Sequence, residues 1–137
     1  MKRNESVKKI MTPDPIAVQV GQSVADAYQI LLKHDFHHVP VLDGRKLVGL
    51  VTSTDIGRVT YSFGTDDRMS STVLDHTRQL SDVMQQDLTS LTPHATVREA
   101  AEILGQGAFH AVPVVEDGDL VGIVTSTDLI RYLLEQY

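Results

Sequence analysis

HVPVLDGRKLVGLVTSTDI fills residues 38–56, and AVPVVEDGDLVGIVTSTDL fills residues 111–129. The two stretches are one pattern written twice, 111 − 38 = 73 residues apart. Sliding residues 11–58 onto 84–131 at that shift needs no gap and yields 20 identities in 48 positions. Met11, Asp14, Val24, Ala27, Phe36, His37, Pro40, Gly49 and the run Val51–Asp55 all recur. Self-similarity at a constant shift marks a repeated structural unit. Each copy is too short to bury a convincing core alone, so the two are expected to pack on each other as a pseudo-two-fold unit.

On either side of these stretches, both copies predict the same elements. Val7, Ile10 and Met11 have helical spacing, repeated by Leu80, Val83 and Met84. Ile16–Val20 and Thr89–Thr92 read as short strands. Ser23 and Thr96 are suited to cap the helices that follow. Their apolar stripes are Val24, Ala27, Tyr28 and Leu31, and Val97, Ala100, Ala101 and Leu104. Asp43-Gly44 and Asp117-Gly118 separate two β-rich runs in each copy, a hairpin signal. A closing helix starts near Ser53 and near Ser126. The expected fold class is α+β, mixed α/β, made of two β-α-β-β-α repeats. The repeats span 1–62 and 80–137, with 63–79 as connector.

Composition narrows the function. The chain has 137 residues, no cysteine, 12 Lys+Arg and 18 Asp+Glu, a net charge of −6. Lack of cysteine excludes disulfides and thiolate-held zinc or iron–sulfur centres. The acidic balance argues against nucleic-acid binding by bulk positive charge. No apolar run approaches the ~18 residues of a membrane span. MKRNESVKKIM at the start is basic but lacks the apolar core of a secretory signal. A soluble, cytoplasmic protein without membrane insertion is expected.

The chemistry concentrates in Gly49–Asp55 and Gly122–Asp128, where a strand gives way to a helix. Unpaired N–H groups of a first helical turn suit an anion. Thr52 and Thr54, with Thr125 and Thr127, add hydroxyls, and Asp55 and Asp128 can accept from a vicinal diol such as a ribose. The competing reading is a plain helix cap, which needs no ligand. His37 and His110 are equivalent, while His38 faces Ala111 across the repeat. His34, His37 and His38 would form a metal set only on a helix, and the strand expected from Phe36 splays them, so no metal site is expected. Hydrolase, zincin and phosphate-loop motifs are missing, and no base accompanies the hydroxyls, so no catalytic residues and no enzymatic activity are expected.

The doubled Val-Pro-Val … Leu-Val-Gly-h-Val-Thr-x-x-Asp pattern resembles the cystathionine-β-synthase (CBS) domain, which occurs in tandem pairs. The resemblance spans roughly residues 6–62 and 79–136. It implies two repeats packed sheet to sheet with two related clefts that commonly hold adenosine ligands. By position, Asp55 and Asp128 match the family's ribose-binding aspartates. Thr52, Thr54, Thr125 and Thr127 match its ribose- and phosphate-contacting hydroxyls. His37, His38 and His110 match phosphate-facing positions. Ile16, Val18 and Val39, with Thr89, Leu91 and Val112, match positions near the adenine. Ala111 departs from the pattern and removes one donor from the second site.

The resulting expectation is a stand-alone regulatory module without a cofactor that binds AMP, ADP, ATP or a related ligand and signals to an unidentified effector protein. The alternative is a structural dimerisation module with no physiological ligand. A homodimer is expected in either case. Its apolar surface is expected from Leu129, Ile130, Leu133, Leu134 and Tyr137 on the last helix, and from Ile56, Val59 and Phe63 on the first closing helix.

Overall fold

The computed structural model describes residues 4–62 and 79–137. Its elements are a 3-10 turn Val7–Lys9, β1 Thr12–Pro13, β2 Val18–Gln19, α1 Val24–Lys33, β3 His38–Asp43, β4 Lys46–Thr52 and α2 Ser53–Ser62. After these come α3 Leu80–Val83, α4 Val97–Leu104, β5 Ala111–Glu116, β6 Asp119–Thr125 and α5 Ser126–Glu135. They gather into two units. One runs from Ile16 to Leu88; the other joins the segment up to Pro15 to Thr89–Tyr137.

In the Ile16–Leu88 unit, β2 lies parallel to β3, with Val18 opposite Val41. Parallel neighbours need a crossover, and α1 supplies it. Ser23 Oγ accepts from the Asp26 N–H at 3.1 Å, and Asp26 Oδ2 accepts from the Ser23 N–H at 3.0 Å. This reciprocal cap starts α1 where the sequence placed it. α1 turns Val24 and Ala27 onto Val18, Val39, Val41, Val51, Ile56 and Leu80 to form one core. β3 and β4 close the sheet as an antiparallel hairpin, which the Gln19 side-chain amide braces by hydrogen bonds to both the N–H and the C=O of Gly44.

The second unit repeats this plan around Val7, Leu91, Ala95, Ala100, Leu104, Val112, Val114 and Val124. Each core therefore includes an apolar residue from the segment that precedes the other copy: Leu80 in one, Val7 in the other. The repeat bounds drawn in sequence and the packing units drawn in space differ for this reason. Val7 N–H donates to Ala95 O at 2.9 Å and Val97 N–H donates to Glu5 O at 2.7 Å, pinning the N-terminal segment. Lys9 pairs with Glu5 at 2.9 Å, and this hydrogen bond holds its ammonium above the usual lysine range.

Four expectations change in detail. The first strand shrinks to Val18–Gln19, and its counterpart to a single parallel bridge between Leu91 and Val114. Val20 N–H still donates to Leu42 O at 2.8 Å. The equivalent residue is Pro93, which has no N–H to extend the ladder. Ala101 is exposed where Tyr28, its counterpart, is half-buried, because a methyl group does not reach the core. The first hairpin loop is Gly44-Arg45 rather than Asp43-Gly44, since Asp43 pairs with Lys46. Finally, Ile56 is 3% exposed and belongs to the core, so it offers no dimer surface. The Val59 side chain and Phe63, from the same expected patch, lie outside the described residues, as does nearly all of the 63–79 connector.

Candidate functional site

β4 ends at Thr52 and α2 begins at Ser53. Thr52 N–H donates to Asp55 Oδ2 at 3.0 Å, and Asp55 N–H donates to Thr52 Oγ1 at 3.1 Å. The second copy has the same pair: Thr125 N–H to Asp128 Oδ2 at 2.8 Å, and Asp128 N–H to Thr125 Oγ1 at 3.2 Å. The Thr-Ser-Thr-Asp motif is thus a reciprocal helix cap in both places. This is the structural role that needed no ligand. It occupies one carboxylate oxygen and fixes the plane of the group. Asp55 is the one charged side chain in the buried class among the described residues, at 8% exposure.

Strand register brings the histidines to the same turn. His38 lies opposite Thr52, and Ala111 lies opposite Thr125. Ser53 N–H donates to His37 O at 3.0 Å, and Ser126 N–H donates to His110 O at 3.1 Å. Ser53 Oγ and His37 Nδ1 are 3.4 Å apart. His37, Ser53 and Thr54 are exposed; His38 and Thr52 are half-buried. Imidazole, hydroxyl and carboxylate groups therefore gather where the strand becomes a helix, with His37, Ser53 and Thr54 open to solvent and the Asp55 carboxylate nearly buried beneath them. Thr127 is exposed in the second set, and Asp128 and Thr125 are half-buried.

The residues expected near an adenine are divided. Ile16 is 46% exposed and Thr89 is exposed. Val18, Val39, Leu91 and Val112 are buried in the two cores. Their side chains are committed to packing within those cores. His34 stacks its ring on Phe36 at 4.9 Å. Among the described residues, no three His, Asp or Glu side chains converge as a metal site would require.

One neighbour of the turn carried no sequence signal. Gln85 pairs with Leu50 through both main-chain groups, at 3.0 and 2.8 Å, and its Nε2 donates to Asp55 Oδ2 at 3.4 Å. It lies 30 residues from Asp55 and has no identical partner in the other copy, so the repeat did not pick it out.

A family model for the CBS domain matches residues 7–60 and 80–135. The chain belongs to the CBS-domain family. Its fold is the mixed α/β fold of a CBS pair, with two repeats. The CBS domain-containing protein YhcV of Bacillus subtilis is 29% identical over 90% of this chain and 82% of its own length. Other curated relatives are longer: the chain spans 43% of the MJ1225 protein of Methanocaldococcus jannaschii and 24% of an inosine-5'-monophosphate dehydrogenase of Korarchaeum cryptofilum. CBS pairs thus also occur within enzymes. Among solved structures, CBSX2 in complex with AMP superposes with a TM-score of 0.80 at 26% identity, covering 96% of this chain and 98% of that one. The CBS pair of protein MJ0100 in complex with 5'-methylthioadenosine and S-adenosyl-L-methionine has a TM-score of 0.80 at 28% identity, with the same coverage. No helix among the described residues of this CBS pair is long and apolar enough to cross a membrane.

Proposed function

We propose that this CBS pair is a regulatory module that binds an adenosine-containing ligand, AMP, ADP, ATP or a related molecule, at its two Thr-Ser-Thr-Asp turns and passes the signal to a partner protein. The observation that carries this reading is the gathering of His37, His38, Thr52, Ser53 and Asp55 at one strand-to-helix turn. It agrees with the adenosine ligands of CBSX2 and MJ0100. In this reading the carboxylates take the ribose diol, while hydroxyls, histidines and helix N–H groups face the phosphate. Ala111 in place of His38 makes the Asp128 turn the weaker phosphate binder. The groups hold a ligand and do not turn it over.

Calorimetry with AMP, ADP, ATP and S-adenosylmethionine tests the reading. Asp55→Ala with Asp128→Ala is expected to weaken binding by roughly ten- to a hundred-fold, the worth of charge-assisted hydrogen bonds. Both aspartates also cap helices, so binding is compared at a temperature where thermal unfolding shows each variant folded. Unchanged adenylate binding in the double variant would remove these residues from the site.

A homodimer belongs to the same proposal. On α5, Ile130 is 58%, Leu133 41% and Leu134 69% exposed, and Tyr137 follows fully open. An isologous two-fold contact would cover this face. Light scattering is expected to report a dimer that Leu133→Glu dissociates, and a monomer across micromolar concentrations overturns it. The same face favours a second reading, a dimerisation module without a ligand, which a dimer silent to all four adenosine compounds would support.

A further inference from the structure

Asp55 and Asp128 hold equivalent places in their caps, yet the residue over each differs. Over Asp55 it is Gln85, set by its two main-chain hydrogen bonds to Leu50 so that Nε2 reaches Asp55 Oδ2 at 3.4 Å. The residue at the equivalent position, 85 − 73 = 12, is Thr12, which pairs with Ile123 on β6. Its side chain is two bonds shorter and makes no hydrogen bond to Asp128 among the described residues. Each carboxylate oxygen has about two lone-pair sites. Asp55 Oδ2 has both filled, by Thr52 N–H and by Gln85. Asp128 Oδ2 has one filled, by Thr125 N–H.

We propose that Gln85 is a specificity-determining residue that makes the two turns unequal ribose binders. This rests on the adenosine reading given above. A vicinal diol offers two O–H donors, best met by both oxygens of one carboxylate. Asp128 presents Oδ1 and a remaining lone pair on Oδ2. Asp55 presents Oδ1, and its Oδ2 receives a second hydroxyl only after Gln85 swings away. The Gln85 contact is long and the side chain is exposed, so it yields to a ligand, but each binding event must break it. The Asp55 turn therefore tells a ribose from a 2′-deoxyribose less sharply than the Asp128 turn does.

The test titrates AMP and 2′-deoxy-AMP by calorimetry, with Asp128→Asn used to isolate the Asp55 turn and Asp55→Asn to isolate the Asp128 turn. The ribose-to-deoxyribose affinity ratio is expected to be roughly three- to ten-fold larger at the Asp128 turn, the worth of one hydrogen bond. Gln85→Thr raises the ratio at the Asp55 turn, and Thr12→Gln lowers it at the Asp128 turn. A merely structural role for Gln85 would shift both nucleotides together and leave the ratio still. If Thr12→Gln does not fold, Gln85→Thr decides alone. AMP binding with a ratio unmoved by Gln85→Thr overturns this inference and leaves the adenosine reading standing. Where another of the four adenosine compounds binds in place of AMP, it and its 2′-deoxy form serve as the pair; no binding of any of the four to the unaltered chain overturns both.

Discussion

Gly49 and Gly122 each sit inside a strand, where glycine normally weakens pairing. The reason for glycine is a methionine. A Cβ on Gly49 would meet the Met84 side chain, with its Cγ at 2.8 Å, and a Cβ on Gly122 would meet Met11 Sδ at 2.5 Å. Gly49→Ala is expected to destabilise by about 1–3 kcal/mol, the usual cost of overpacking, with the flexible thioether favouring the low end. In a Met84→Ala background the same change loses its obstacle. It then becomes neutral or stabilises by about 0.5–1 kcal/mol, because alanine is the better strand residue. Urea midpoints for the four variants measure the coupling, and equal costs in both backgrounds would refute it. Both glycines and both methionines recur at the 73-residue shift, so their importance was legible, but their contact was not. The Thr-Asp pairs are similar: their residue types were read from the motif, and their cap geometry had to be seen.

The two hairpins solve one turn with different glycines. In the first loop Gly44 stands first, with φ +65°. In the second, Asp117 stands first with φ +53° and Gly118 second with φ +87°. A lone positive φ at the first position is the demand of a type II′ turn, and two in a row that of type I′. Both match the right-handed strand twist. Gly44→Ala and Gly118→Ala are each expected to cost about 1–2 kcal/mol, because a Cβ is disfavoured in the left-handed region. Chemical denaturation checks this, and unchanged midpoints would overturn it. Asp-Gly in both sequences pointed to hairpins. It could not say which two residues form the loop, because register is decided by the paired strands on either side.

At the scale of the whole chain, each repeat needs a segment that is not its own. Leu80, fully buried, belongs to the core of Val18, Val39 and Ile56, and Val7, fully buried, to that of Val112 and Val124. A fragment of residues 16–88 is expected to unfold cooperatively, while 16–62, without Leu80 and Met84, is expected to lose the transition. Leu80→Ala in the full chain is expected to cost about 2–5 kcal/mol. Circular dichroism on heating measures all three. A 16–62 fragment as stable as 16–88 would defeat the assignment of α3 to this core.

The repeat, the order of elements, the helix caps at Ser23 and Thr96, and the two hairpins are written in the sequence. All of these rest on local periodicity, capping chemistry and turn residues, which act over a few positions and are written where they act. It takes the folded chain to show that Ile56 faces inward, that Val7 and Leu80 pack with residues far from them in the chain, that Thr52 and Thr125 cap through Asp55 and Asp128, and that Gln85 covers Asp55 but Thr12 does not cover Asp128. The caps aside, those are contacts between distant segments. Their partners are chosen by how whole elements dock to exclude water, and neither member of such a pair carries a mark of the other.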